Sequence, residues 1–183
     1  MPELPEVEIA CRKLRPLLEG RRFLNFWTDW PRGLRLSSAL RVRRDITGKR
    51  VEKIERLGKA IVVHLSRGRA LAFHQKMSGK VLIVPQGIKD AHIHFRFALS
   101  GGQELALHDV RKFGVVWYGL EDEVKKESYF ASLGKDALGV PFGEFKKLME
   151  SKRGMLKSFL LRQDVFSGIG NIVADETLWK ARL

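Results

Sequence analysis

Apolar residues recur at helical spacing near the start of the chain and predict a first α-helix over residues 6–20. The recurring positions are Val7, Ala10, Leu14, Leu17 and Leu18. Glu6 suits the positive end of a helix dipole, and Gly20 marks a stop. Pro16 lies inside this pattern. Because proline lacks an N–H donor, we expect it to kink the helix or to end it locally.

Between residues 21 and 118 the pattern changes to short β-type runs separated by turn residues. Candidate strands cover residues 51–56, 60–65, 70–75, 80–84, 92–99, 104–109 and 114–118. In the fifth run the apolar residues Ile93, Phe95 and Phe97 alternate with His94 and Arg96. This alternation predicts a half-buried strand with a basic outer face. Several short strands with regular turns favour a β-sandwich or barrel.

Helical patterns return in the last third of the chain. Residues 119–140 are acidic and then mixed, and we interpret them as a connector. Helices follow from Pro141, and a glycine-containing turn at 167–170 leads into a last helix that begins at Asn171. We therefore predict an α+β fold in which an N-terminal helix packs on a β-sandwich (1–118), followed by a connector (119–140) and a helical domain (141–183).

Composition narrows the classes of partner. The 183 residues carry 34 Lys+Arg against 21 Asp+Glu, for a formal net charge of +13. Such an excess favours nucleic acid as a partner first and an anionic membrane surface second, although basic charge can also serve solubility alone. No apolar run approaches the roughly 20 residues that span a bilayer. The single cysteine, Cys11, excludes an intramolecular disulfide and a multi-cysteine zinc site, so we expect a cytoplasmic setting.

The N-terminus itself is a candidate for chemistry. Methionine before Pro2 is usually removed, which would expose a secondary amine that can attack an aldehyde-like carbon. An ordinary α-amino group titrates near ~7.7–8.0, and a nearby cation such as Lys59 would raise its neutral fraction. A carboxylate such as Glu3 can relay protons at the same centre. A flexible, inert start remains the alternative interpretation of one N-terminal proline.

Five stretches, in order, resemble one bacterial family. The N-terminal string MPELPEVE resembles the start of formamidopyrimidine-DNA glycosylases, enzymes that remove oxidised purines such as 8-oxoguanine. The further similar stretches are 58–59 (GK), 74–79 (HQKMSG), 109–114 (DVRKFG) and 168–176 (GIGNIVADE). The last of them is similar to the core of the family's helix–two-turns–helix unit. Leu4 favours the purine-repair branch over the sister endonuclease VIII group, which typically has glycine there.

The resemblance implies catalytic roles near the N-terminus. Pro2 would attack C1′ of the damaged nucleotide, and Glu3 would be the general acid and base. Glu6 would support that centre, and Lys59 would contact the phosphate beside the lesion. The implied reaction is base excision through an imine, followed by β- and then δ-elimination, with no organic cofactor. The implied partner is double-stranded DNA that contains oxidised bases or abasic sites.

The resemblance also implies a set of DNA contacts. They are Met77, His92, His94, Arg111, Lys112, Phe113, Lys157, Asn171 and Glu176. A glycosylase must extrude its target base at a cost of a few kcal/mol, and an unbranched or flat side chain such as Met77 or Phe113 can fill the gap. The free N–H groups of a helix that opens at Asn171 predict a phosphate site. The structural alternatives are core side chains for Met77 and Phe113 and a simple N-cap for Asn171.

One part of the family pattern has no counterpart in these residues. The family normally continues with a zinc finger of two Cys-x-x-Cys pairs, whereas this sequence stops at Leu183 and carries one cysteine. The histidines have no carboxylate or cysteine at ligand spacing, so we expect no metal site. We expect a monomeric enzyme near the bacterial nucleoid. The alternatives are a catalytically weak nucleic-acid-binding remnant and a ribosome-associated basic protein.

Overall fold

The computed structural model describes residues 1–151 and 154–183. The helices are α1 (Leu4–Leu18), α2 (Ala39–Ile46), α3 (Glu121–Lys126), α4 (Ser128–Ala131), α5 (Phe142–Glu150), α6 (Leu156–Leu160) and α7 (Asn171–Lys180). The strands are β1 (Phe23–Thr28), β2 (Leu34–Arg35), β3 (Val51–Leu57), β4 (Ala60–Leu65), β5 (Arg69–His74), β6 (Lys80–Pro85), β7 (Ile93–Leu99), β8 (Gln103–His108), β9 (Val115–Leu120), β10 (Lys135–Asp136) and β11 (Phe166–Ser167).

Two packed sheets form the first part of the molecule. One sheet has the strand order β1-β7-β8-β6, and the other has the order β2-β9-β5-β4-β3. The pairing is antiparallel except between β2 and β9. Buried aromatic side chains such as Phe23, Phe73 and Phe97 fill the space between the sheets, where their rings pack edge to face. The apolar face of α1 joins the same core. The predicted β-sandwich with a packed N-terminal helix is therefore confirmed.

The region predicted as a connector contains structure of its own. Within 119–140, α3 and α4 bury Val124 and Phe130 against Trp117 and the small residues on the outer face of the second sheet. A separate core then unites α5, α6 and α7 around Phe159, Leu160 and Phe166. The division of the chain at residues 118 and 140 stays a prediction.

Polar contacts tie the helical part to the sandwich. Arg56 of β3 donates two hydrogen bonds to the carboxylate of Asp136, at 2.6 and 2.9 Å, and one to Glu8 of α1 at 3.1 Å. The N–H of Leu4 donates to the carbonyl of Gly168 at 3.0 Å. The beginning of the chain therefore lies against the turn that precedes α7.

Two local expectations differ from the structure. The helix α1 continues through Pro16 to Leu18, so Pro16 does not end it, and a kink at Pro16 stays a prediction. Within the last turn of a helix, the missing N–H of proline removes one bond without ending the element. The outer face of β7 is largely covered: His94 is buried and bonds with Asp29, and the half-buried Arg96 bonds with Glu104.

Among the described residues, no helix combines the length and the apolar character that crossing a bilayer requires.

Candidate active site

The N-terminal segment lies between the two parts of the molecule. Glu3 precedes the first residue of α1, and its N–H donates to the Glu6 carboxylate at 2.9 Å. This bond is half of the capping-box pattern that fixes the first turn of a helix. Glu6, predicted to support the catalytic centre, thus orients the backbone of Glu3. Pro2 is partly buried beside them.

The Glu3 carboxylate bridges to α7. Its Oε1 accepts the N–H of Ile172 at 3.0 Å, and its Oε2 accepts the N–H of Val173 at 2.9 Å. Glu3 is only 4 % exposed. The positive end of the α7 dipole therefore faces a carboxylate supplied by the other end of the chain.

This contact corrects the prediction of a free phosphate site at the start of α7. Two of the N–H groups that open the helix are occupied by Glu3. The side chain of Asn171 remains exposed, so its contact with DNA stays a prediction.

Glycine is required where the N-terminus approaches α7. A Cβ on Gly170 would lie 2.2 Å from Cδ of Glu3. Gly168 has φ +100, and a Cβ there would lie 2.8 Å from Leu4 Cδ1. The glycines of the 168–171 motif thus permit a close backbone approach, which any side chain would block.

Lys59 lies near Glu3 at the start of β4. Its N–H donates to the Tyr129 hydroxyl at 2.8 Å, and Gly58 before it adopts φ +57. Burial lowers the pKa of the Lys59 ammonium, and the negative charge of Glu3 opposes that shift. The geometry therefore places a cation with a lowered pKa beside the predicted catalytic carboxylate.

A buried aspartate shapes the loop that carries Arg111 and Phe113. Asp109 is 0 % exposed, and its Oδ1 accepts the Ser78 hydroxyl and the N–H of Arg111. Its Oδ2 accepts the N–H groups of Phe113 at 2.8 Å and Gly114 at 2.7 Å. One carboxylate thus holds residues 109–114 and also the 74–79 loop that carries Met77.

The tips of these two loops project outwards. Met77 is 51 % exposed and Phe113 is 47 % exposed, so neither is a core side chain. The guanidinium of Arg111 lies 4.4 Å from the centroid of the Phe113 ring, within the range of a cation–π contact. Met1 lines a cavity of about 420 Å³ together with both tips. The structure therefore brings the N-terminus close to the predicted wedge residues.

The same cavity contains Lys112, a predicted DNA contact, and three cations to which the sequence pattern assigned no role: Arg32, Arg35 and Lys76. Lys112 has φ +54, and its Nζ lies 3.7 Å from Asp29 Oδ2. Arg32 and Arg35 come from the segment around β2, which carried no β-type pattern and gave no signal in the sequence.

His94 does not fit its predicted role as a phosphate contact. It is 3 % exposed, and its Nδ1 lies 2.9 Å from Asp29 Oδ1. His92 is exposed and packs edge to face against His108, with ring centroids 5.7 Å apart. The sequence did not reveal that Asp29 covers this face of β7, so His94 is corrected to a buried structural residue.

Two predicted DNA contacts lie on or near α7. Glu176 is exposed and lines a cavity of about 300 Å³ with Glu3 and Glu6. Lys157 is also accessible, and its Nζ lies 2.6 Å from Asp175 Oδ1. A phosphate would have to compete with Asp175 for this lysine.

Gln163 is a positioning residue that sequence reasoning missed. Its Nε2 donates to the carbonyl of Ile169 at 2.7 Å, and its Oε1 accepts the N–H of Gly168 at 3.0 Å. These bonds hold the glycine turn against which Leu4 docks. A glutamine between the charged residues Arg162 and Asp164 gives no sequence signal for such a role.

A β-sandwich joined to a helical unit, with the chain's first residues between them, defines the class of protein. Residues 1–116 match the family model for the formamidopyrimidine-DNA glycosylase N-terminal domain, and residues 133–183 match the formamidopyrimidine-DNA glycosylase H2TH domain. The chain belongs to the formamidopyrimidine-DNA glycosylase family. The resemblance and the fold class predicted from the sequence are confirmed.

Individual relatives agree with this assignment. The chain is 37 % identical over 191 residues to formamidopyrimidine-DNA glycosylase of Chloroflexus aurantiacus, a match that covers 100 % of this chain and 66 % of the relative. The crystal structure of MutM (Fpg) from Thermus thermophilus matches with a TM-score of 0.84 and 32 % identity, covering 100 % of this chain and 65 % of that one. A Lactococcus lactis Fpg complex with abasic-site DNA matches with a TM-score of 0.88 and 27 % identity, covering 99 % and 68 %. The chain thus spans about two thirds of the length of these relatives.

Proposed function

We propose that the chain is a base-excision DNA glycosylase with AP lyase activity that removes oxidised purines, 8-oxoguanine and formamidopyrimidines among them. The observation that carries this proposal is the N-terminal segment itself, which lies between the two parts of the molecule. Glu3 there is bonded to α7 and lies near Lys59. A net charge of +13 favours double-stranded DNA as the partner.

The proposed chemistry needs the nitrogen of Pro2 to be free, which requires removal of Met1. The amine attacks C1′, and the bond between C1′ and the base breaks, so that its electron pair leaves with the base, which takes up a proton. The sugar ring then opens as C1′=N forms, and O4′ takes up a proton. Loss of a C2′ proton expels the 3′ phosphate, and a second elimination expels the 5′ phosphate. Water finally hydrolyses the imine and frees the amine.

Glu3 has the capacity to move these protons. Each of its oxygens accepts one N–H from α7, and a carboxylate oxygen can accept a further hydrogen bond. Lys59 places positive charge near the same centre and supports binding of an adjacent phosphate. All groups in this scheme belong to the chain, so the proposal includes no metal or organic cofactor.

The two loop tips support base extrusion. Removing a nucleotide from the stack costs a few kcal/mol, which side chains that fill the gap can offset. Met77 and Phe113 are exposed at the rim of the cavity that Met1 lines. Arg111, which lies against the Phe113 ring, can donate hydrogen bonds to the orphaned base. We further propose that the protein acts as a monomer in the bacterial cytoplasm.

A second candidate function is DNA binding with little turnover. It is favoured by the pairing of Lys157 with Asp175, because this ion pair reduces the positive charge available to phosphates.

Trapping with sodium borohydride separates the two functions. Borohydride reduces an imine to a stable amine, so the enzyme should form a covalent adduct with a duplex that contains 8-oxoguanine or an abasic site. Pro2→Gly, or acetylation of the N-terminus, should lower the adduct at least tenfold. Pro141→Gly is the matched control, since it changes an exposed proline just before α5 and should retain the adduct. Salt-sensitive binding with no adduct would support the second candidate.

A further inference from the structure

The antiparallel strands of both sheets run between the same two ends of the sandwich. The registers place Leu57, His74, Lys80 and His108 at one end, where the loops of the candidate active site begin. The opposite end contains the other termini of the same strands. A strand of seven residues at ~3.3 Å per residue puts these ends roughly 20 Å apart.

Five exposed arginines lie at the end away from the active site. This distal arginine surface consists of Arg22, Arg43, Arg44, Arg50 and Arg67. Its members come from separate segments that the backbone brings together. Arg22 and Arg50 form an antiparallel bridge, and the N–H of Arg50 donates to Ser66 Oγ at 3.0 Å, next to Arg67. Arg43 and Arg44 occupy the last turn of α2, and Gly48, two residues after that helix, accepts a bond from Arg22.

These five guanidinium groups form no ion pair within the described part of the chain. Several carboxylates at the same end are already engaged. Asp45 bonds with Tyr118, Arg69 and Lys49, while Glu121 lies 2.8 Å from His64 Nδ1. Two exposed carboxylates border the distal surface: Glu52, two residues after Arg50, and Asp122, in the first turn of α3. The five guanidinium groups therefore outnumber these two carboxylates.

We propose that the distal arginine surface binds the phosphate backbone of a second DNA duplex while the active-site cleft holds the first. Guanidinium groups match phosphate oxygens in a bidentate geometry, and duplex DNA presents such charges in closely spaced rows. A protein partner would be expected to need an apolar or aromatic centre, whereas this surface is defined by arginine. The identification of DNA rests on the proposed function.

A second duplex contact would change how the protein moves between DNA segments. Binding to two segments makes the second contact effectively intramolecular, which raises the local concentration of DNA around the cleft. Loss of three arginine–phosphate contacts should make the slope of log affinity against log salt concentration less steep by about 2.7. The distal surface therefore predicts a salt-sensitive contribution that does not involve the cleft.

Native mass spectrometry at low salt with undamaged duplexes of about 12 base pairs tests this inference. The wild-type chain should bind two duplexes, and the triple variant Arg43→Gln, Arg44→Gln, Arg67→Gln should bind one, with at least a tenfold loss of the two-duplex complex. The matched control removes the same charge from exposed lysines elsewhere and should retain both duplexes. Its substitutions are Lys89→Gln, Lys146→Gln and Lys147→Gln.

The design separates failure of this inference from failure of the proposed function. If the cleft binds no DNA, the wild type should bind one duplex and the triple variant none. A difference of one duplex between the two proteins would still support DNA binding at the distal arginine surface. Equal stoichiometry in the wild type and the triple variant would overturn it, as would the same loss in the control. Displacement of the second duplex by polyglutamate at equal charge would also overturn the assignment to phosphate. Circular dichroism should show an unchanged Tm for all variants.

Discussion

The region around Glu3 and the region around Asp109 each contain a buried carboxylate that accepts hydrogen bonds from backbone N–H groups. The two carboxylates differ in how many further hydrogen bonds they can accept. Asp109 accepts four donors on two oxygens, all from the 74–79 and 109–114 loops. Glu3 accepts two, both from α7, which begins at Asn171 near the other end of the chain. A carboxylate has about four lone-pair sites, so Asp109 is saturated while Glu3 retains sites for a proton. Similar burial thus accompanies a structural role at Asp109 and the proposed chemical role at Glu3.

The largest expected effect is on catalysis at Glu3. Glu3→Gln retains the size of the side chain but removes its ability to take up a proton, so we expect base excision to slow by about 10²–10⁴-fold, the usual contribution of general acid–base catalysis. Single-turnover excision of 8-oxoguanine from a duplex measures the rate. Glu150→Gln, at an exposed carboxylate on α5, is the control and should keep the wild-type rate. A Glu3→Gln rate within threefold of wild type would reduce Glu3 to a structural residue like Asp109.

The next effect is on stability at Asp109. Asp109→Asn replaces one acceptor oxygen by an amide that faces N–H donors, so we expect the free energy of unfolding to fall by about 3 kcal/mol. Urea unfolding measures this loss. Asp90→Asn changes an exposed aspartate that accepts one N–H from His92, and it should cost less than about 1 kcal/mol. Equal losses of unfolding free energy at the two aspartates would contradict the proposal that the four hydrogen bonds of Asp109 stabilise the fold.

These two regions also show what the sequence can predict. The strands 51–56, 60–65 and 80–84 were placed within a residue or two, because their apolar runs and turn residues are local signals. In contrast, β1 has a buried residue only at every third position and gave no clear period. In α2, Ala39, Val42 and Ile46 recur at helical spacing, but this short segment among arginines was not recognised as a helix. Register and partner identity are non-local properties. No local pattern could reveal that Glu3 would occupy the start of α7.

The same limit explains the errors at individual site residues. Alternation correctly predicted that β7 has two faces, but it could not reveal that Asp29 approaches His94 and that Glu104 pairs with Arg96. The family motifs selected Met77 and Phe113, and both are exposed beside the N-terminus. The 109–114 motif contains Asp109, but the sequence gave this residue no role. Its four hydrogen-bond donors come from two loops that meet only in the folded structure.

Two glycines sharpen the comparison between the regions. A Cβ on Gly170 would lie 2.2 Å from Glu3 Cδ and must displace that carboxylate, whereas a Cβ on Gly114 would lie 3.2 Å from Asp109 Oδ2. We expect Gly170→Ala to slow excision at least tenfold, which corresponds to about 1.4 kcal/mol in the barrier. Gly114→Ala is the matched control, and we expect it to slow excision less than threefold. Circular dichroism should first confirm that both variants fold. A larger loss for Gly114→Ala would show that the Asp109 region controls the chemistry.

The smallest expected effect concerns pH and the Asp109 side of the comparison. His74 Nδ1 accepts the N–H of Lys76 at 3.0 Å and so helps to hold the loop that Asp109 also holds. Burial lowers the pKa of His74 to about 4, with the charges of Lys76 and Lys59 acting in the same direction. The unfolded chain, with a pKa near ~6.5, takes up a proton first as the pH falls, so this stabilisation is complete above pH ~6.5 and is lost towards pH ~4. Between pH ~7.5 and pH ~5.5 we expect a loss of about 1 kcal/mol, measured by urea unfolding at both values. Over the same pH interval, the free energy of unfolding of His74→Gln should fall by about 1 kcal/mol less than that of the wild type. If the variant and the wild type show the same pH dependence, His74 titrates alike in the folded and unfolded chain.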